Sequence, residues 1–158
     1  MTQQSSDMQQ KIILRVVSKL LIPFILLFGL YVQWHGDFGP GGGFQAGVIF
    51  ASAYVLYALI FGLGTMREAL PSWITRLVLS LGVLLYSGVG VICLINGANF
   101  LDYYSLSATP KVGQHIGILL VEAGVGMTVF GGIVTIFCAF AGRAAADINL
   151  TDDDEGQQ

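Results

Sequence analysis

Long apolar runs separated by short polar stretches dominate the chain. Residues 38–66, 77–101 and 123–142 contain no charged side chain. A membrane-spanning helix needs about 20 mostly apolar residues, so each window holds one. A further span, less clean, runs from about 12 to 34 and includes Arg15, Lys19 and Pro23. The pattern predicts an all-α integral membrane protein with four transmembrane helices, at about 12–34, 44–63, 76–95 and 112–142, in a single membrane domain over 11–145. Pro23 removes the backbone donor that would bond the Lys19 carbonyl, so a kink is expected there. The last span is longer than the roughly 30 Å hydrocarbon slab requires, and must tilt or protrude. Residues 1–10, rich in Gln and Ser, read as a disordered polar tail. Residues 146–158 read as an acidic tail around Asp152, Asp153, Asp154 and Glu155, solvated rather than bound.

Composition agrees with the pattern. Of 158 residues, 54% are hydrophobic and only 11% are charged, against roughly 25% charged in an average soluble domain. So short a chain has no soluble core large enough for this much apolar surface. The net charge of −3 says less than where the charges lie. With four spans, Lys11, Arg15, Lys19, Arg67, Arg76 and Arg143 fall on one side and Lys111 on the other. The positive-inside bias makes the basic side, and both termini, cytoplasmic. The loops at 35–43 and 96–111 then face out. No cleavable signal peptide is expected, because no small-residue cleavage site precedes the first polar hairpin. Lys11, Arg15 and Lys19 form a basic stripe that either snorkels at the inner leaflet or meets anionic lipid or an acidic partner. Cys93 and Cys138 lie near opposite ends of their spans, too far apart for a disulfide. They cannot hold an iron–sulfur cluster, and no cofactor or nucleic-acid partner is expected.

The segment His35-Gly36-Asp37-Phe38-Gly39-Pro40-Gly41-Gly42-Gly43-Phe44-Gln45-Ala46-Gly47 joins the first two spans. It is too specific in composition for a generic linker. Its glycines suit backbone that packs closely or adopts positive φ. No Lys-Ser/Thr follows Pro40-Gly41-Gly42-Gly43, which excludes a phosphate-binding P-loop. A tight re-entry into the membrane explains the turn better than an anion-binding nest. Gln45, in the first turn of the second span, is placed to serve orphan backbone donors or a neighbouring chain.

Glu122 is the one acidic residue inside a span. Ionised in hydrocarbon it costs about 3 kcal/mol or more, so it is protonated, paired or facing a polar cavity. It either binds a proton or small cation during transport, or makes a structural hydrogen bond. His115 lies seven residues earlier on the same face, about 10 Å along the axis, a separation suited to a water-linked relay. His35, Asp37 and His115 all fall near the outer face and form no known metal motif. They serve a hydrogen-bond network or proton entry, or fix the loop. Gly117, Gly124 and Gly131 recur every seven residues and make a packing face, within this bundle or against another protein of the same membrane.

The hairpin from His35 to Gly47 resembles the MnhB (also MrpB) component of the multi-subunit Mrp (also Mnh) sodium/proton antiporter. The resemblance extends to Leu21-Ile22-Pro23-Phe24 and to Gly117-Ile118-Leu119-Leu120-Val121-Glu122-Ala123-Gly124-Val125. His35, Pro40, Gly41, Gly42, Gly43, Phe44, Gln45 and Glu122 match the family pattern. The acidic tail is an individual addition. The resemblance implies a small, multi-pass subunit of the bacterial cell (inner) membrane, in a hetero-oligomer with other small membrane subunits and with large subunits similar to the antiporter-like subunits of respiratory complex I. Such an assembly exchanges cytoplasmic Na⁺ for external H⁺. Proton translocation is usually placed in the large subunits, so the MnhB component serves assembly or shapes an interfacial path. That makes the chain a transporter subunit rather than an enzyme. Related subunits occur in membrane-bound hydrogenases, which leaves an ion-translocating-arm role in such a complex as an alternative. A stand-alone homo-oligomeric transporter built on Glu122 is a second alternative, and a non-transporting scaffold a third. The stand-alone reading is disfavoured by the uncharged second and third spans and the lack of a repeat or broken-helix pattern.

Overall fold

A computed structural model describes the backbone of residues 2–36 and 40–155, and the side chains of residues 12–36 and 40–144. Every regular element among them is helical. They are α1 (Thr2–His35), α2 (Gly43–Phe61), α3 (Leu63–Ala69), α4 (Ser72–Ile95), a 3-10 turn (Tyr103–Leu106) and α5 (Pro110–Glu155). Four of these are long and apolar enough to cross a membrane, over Ile12–His35, Gly43–Phe61, Ser72–Ile95 and Pro110–Ala144.

Three expectations need correction. The expected disordered tail is helical from Thr2, because Gln, Met and Lys extend a helix that the first span has already nucleated. The expected acidic tail continues α5 as helix through Glu155, although its side chains lie outside the described residues. The stretch between the second and third expected spans contains α3. Gly62, at φ 94°, ends α2, and its carbonyl accepts the Met66 N–H at 3.1 Å, which starts α3. Pro71 then precedes α4, which begins at Ser72, four residues before the expected start.

α5 is the axis of the fold. α4 packs along one side of it and α2 along another, while α1 rests mainly on α2. In lipid, apolar contact gives no hydrophobic drive between helices, so close backbone approach matters most. The buried residues of α2 are accordingly small: Gly43, Ala46, Gly47, Ala51, Ala53 and Ala58. At the basic end, Ala51, Ala58, Met66, Leu70 and Val134 form a core between α2, α3 and α5. The fully buried Met66 accepts a 3.9 Å contact from the Cys138 thiol. Both cysteines are free, as their positions require.

The glycines at heptad spacing pack within this chain. A Cβ on Gly124 would lie 2.9 Å from the Gly82 carbonyl oxygen, and one on Gly131 would lie 2.8 Å from Leu79 Cβ. Gly117 lies under the ring of Tyr103. The other end of α4 is closed by a Schellman turn. Gly97, at φ 80°, donates to Leu94 O at 3.0 Å, and Ala98 donates to Cys93 O at 3.1 Å. Asn96 Nδ2 then donates to Ser105 O at 2.9 Å, which ties the 3-10 turn to α4. Burial there, with Tyr86 and Cys93 nearby, pushes the Tyr103 hydroxyl above its ordinary pKa.

Candidate functional site

The hairpin between α1 and α2 is closed by backbone bonds. Gly42 N–H donates to Val32 O at 3.3 Å, and Ala46 N–H donates to Gly42 O at 3.0 Å, starting α2. Gly42 has φ 116°, a conformation that side chains strongly disfavour. Gly42, the N-cap residue of α2, has no side chain with which to cap the helix. The first turn presents its N–H groups and the positive end of the helix dipole on this side of the hairpin.

Glu122 of α5 reaches into this hairpin. A Cβ on Gly36 would fall 2.6 Å from both of its carboxylate oxygens, and one on Gly42 would fall 3.1 Å from Oε1. A Cβ on Gly43 would overlap the Glu122 backbone carbonyl. Gly36 and Gly42 thus form a cradle that fits the carboxylate because they have no side chains, and Gly43 lets the backbone of α5 approach. One turn further along α5, Gly126 continues the contact. A Cβ there would meet Gln33 Oε1 at 2.8 Å and Gly43 O at 3.1 Å, and one on Gly47 would meet Gly126 O at 2.6 Å. The carboxylate is half-buried and sits beside the N-terminus of α2, an arrangement that complements negative charge.

Below the carboxylate a cleft of about 400 Å³ opens between the helices, its walls including Leu26, Phe50, Tyr54, Val78 and Phe130. Gln33 enters it from α1. Its Nε2 is buried and has no hydrogen-bond partner among the described residues. Gln33 is thus a polar feature that reasoning from sequence misses. An amide three residues before a glycine that touches the carboxylate is a usable signal, as is the Gly43-x-x-x-Gly47 spacing.

The other candidates separate into two groups. His35 is half-buried at the end of α1 and stacks on Tyr31, ring centroids 5.1 Å apart. Asp37 lies outside the described residues. His115 is exposed in the second turn of α5, and neither it nor Glu122 is without a partner. Among the described residues, no three His, Cys, Asp or Glu side chains gather as a metal site would require. Pro40, Phe44 and Gln45 are exposed on the opposite side of the hairpin from the cradle, with Phe44 62% accessible. With Phe28, Val32 and Val48 they line a groove of about 410 Å³ along α1 and α2. Gln45 makes no hydrogen bond among the described residues, so its expected service to orphan donors of α2 is not seen.

The sequence model of the family described as "Domain related to MnhB subunit of Na+/H+ antiporter" matches residues 13–135. Proteins named antiporter subunit mnhB2 from Staphylococcus aureus are similar along nearly their whole length. Those of strains Newman and JH1 are each 36% identical over 137 residues, covering 85% of this chain and 96% of the relative.

Proposed function

The chain belongs to the family of domains related to the MnhB subunit of Na⁺/H⁺ antiporters, and from that premise we propose that it assembles with large complex I-like subunits and other small membrane subunits in the bacterial cell membrane. It is a multi-pass antiporter subunit, with four helices able to cross the bilayer. In the proposed orientation both termini are cytoplasmic, because six of the seven cations lie at that end. The complex exchanges cytoplasmic Na⁺ for external H⁺ and needs this chain for its assembly.

Within that assembly the hairpin has two tasks. Its exposed side, with Pro40, Phe44 and Gln45, docks against a neighbouring subunit. Its glycine side holds Glu122 as a proton- or cation-exchanging group on an interfacial path, with His115, His35 and Asp37 at the outer mouth. The observation that carries this reading is the carboxylate cradled by Gly36 and Gly42 beside the start of α2, whose N-cap residue is a glycine. A purely structural acid would satisfy the same contacts, and the two are separable by experiment.

The test uses the whole complex in everted membrane vesicles. Glu122→Gln keeps the size and a hydrogen-bonding end but cannot carry charge. The expected result is normal recovery of the assembly with Na⁺-driven proton exchange lowered about a hundredfold or more, the scale for losing one general acid–base group. Unchanged exchange across pH would leave Glu122 a structural residue. Co-purification identifies the partners. Hydrogenase subunits would favour the redox-driven setting, and a homo-oligomer with exchange activity of its own would overturn the subunit reading.

A further inference from the structure

A second polar cavity lies at the opposite end of α5, about 20 Å along the helix from Glu122. Its volume is about 240 Å³, with Arg67, Ser72 and Arg76 at its rim and Leu70, Val134 and Cys138 at its floor. Arg67 comes from α3 and reaches α5, where a Cβ on Gly142 would lie 3.1 Å from its Nη2. Arg76 Nε donates to Ser72 O at 3.3 Å, which holds its guanidinium back over the first turn of α4. That turn has no side-chain cap. Neither guanidinium forms an ion pair among the described residues.

Two cations lining one small cavity repel each other, and a shared anion removes that cost. The uncapped start of a 24-residue helix adds positive potential at the same place. The floor has an apolar part in Leu70 and Val134, with Thr75 and Thr135 beside it, and the cavity sits where the span Ser72–Ile95 begins, at the membrane boundary. Trp73, 60% exposed beside Ser72, is the kind of side chain that anchors at that depth. We propose that this cavity binds the phosphodiester headgroup of an anionic phospholipid, with Arg67 and Arg76 on the phosphate and Leu70 and Val134 against the glycerol and first acyl carbons. A free inorganic anion shares the phosphate chemistry but has no use for the apolar floor. Basic pockets between membrane helices are established headgroup sites in other proteins, and the cytoplasmic leaflet is where the attraction is strongest.

The test is native mass spectrometry on the full complex in detergent micelles to which phosphatidylglycerol or phosphatidylcholine is added as the probe. The wild type is expected to retain phosphatidylglycerol preferentially. Arg67→Gln with Arg76→Gln is expected to weaken that retention about 30-fold, the effect of two lost charges at the membrane surface. Arg67→Lys with Arg76→Lys keeps the charge and is expected to retain most of the lipid, which separates binding from misfolding. Lys111→Gln, at the other end of the bundle and outside the cavity, is expected to leave retention unchanged. Equal retention by the Arg67/Arg76 glutamine variant would overturn the proposal. So would displacement of the lipid by millimolar inorganic phosphate, which would mark a free-anion site. Loss of a protein subunit with no change in bound lipid would assign the two arginines to an acidic partner and also overturn it.

Discussion

The two packed faces of α5 are built on different terms. Against α4 and the 3-10 turn that follows it, the helix presents Gly117, Gly124 and Gly131, which meet Tyr103, Gly82 and Leu79. The hydroxyls on that side look after themselves, since Thr128 donates to Gly124 O at 2.8 Å and Thr135 to Gly131 O at 2.7 Å. Against α2, the helix presents Glu122 and Gly126, which meet Gly36, Gly42, Gly43 and Gln33. Both seams use glycine to bring backbones together. Only the second does so around an ionisable group and an amide nitrogen that has no hydrogen-bond partner among the described residues. A dry seam needs closeness alone, and many small residues provide it. A seam that encloses a carboxylate also needs a space of the right shape, and that shape comes from a loop far away in sequence.

This contrast can be broken by substitution. The largest effect is expected for Gly43→Ala, because the added methyl overlaps the Glu122 backbone and both helices must separate. Overpacking of this kind costs about 3 kcal/mol, so recovery of the intact complex from membranes should fall severely. Gly124→Ala adds a methyl 2.9 Å from the Gly82 carbonyl and 3.0 Å from Tyr86 N. It should cost about 1–2 kcal/mol and lower the melting temperature in detergent, while exchange per assembled complex is preserved. Equal loss in the two variants, with equal loss of exchange per complex, would erase the distinction between the seams. The smallest effect on stability is expected for Gln33→Leu. Removing an unpartnered buried amide is neutral or stabilising by about 1 kcal/mol, yet exchange should decline if the amide helps hydrate the cleft beneath Glu122. Unchanged exchange in that variant would confine the polar function to Glu122 itself.

Much of this is legible in the chain. The four charge-free or nearly charge-free runs are four helices, with limits shifted by a few residues. Glu122 stands out because an acid in a span is costly, and the glycine triplet because a plain turn does not need it. The heptad glycines announce a packing face, though not its partner, since periodicity marks a face and says nothing of what covers it. Other features are not legible. Gly126 is a glycine outside the heptad pattern, Gly36 is one of several in the hairpin, and the meaning of each lies in what approaches it. α3 reads as loop because a seven-residue helix carries too short a period to recognise. The water-linked pairing of His115 with Glu122 rests on helix geometry alone, and His115 proves to be exposed.

By itself, then, the sequence determined the solvent, the number of spans and the rare residues to watch, because the transfer of charge and backbone into lipid is costly enough to be read one segment at a time. Only the tertiary structure decided that the hairpin's glycines are the space for the Glu122 carboxylate, and that Gln33 stands beside it. Those facts depend on how closely α1, α2 and α5 approach one another. That closeness is set by side chains that are absent, at positions 79 to 93 residues apart in the chain.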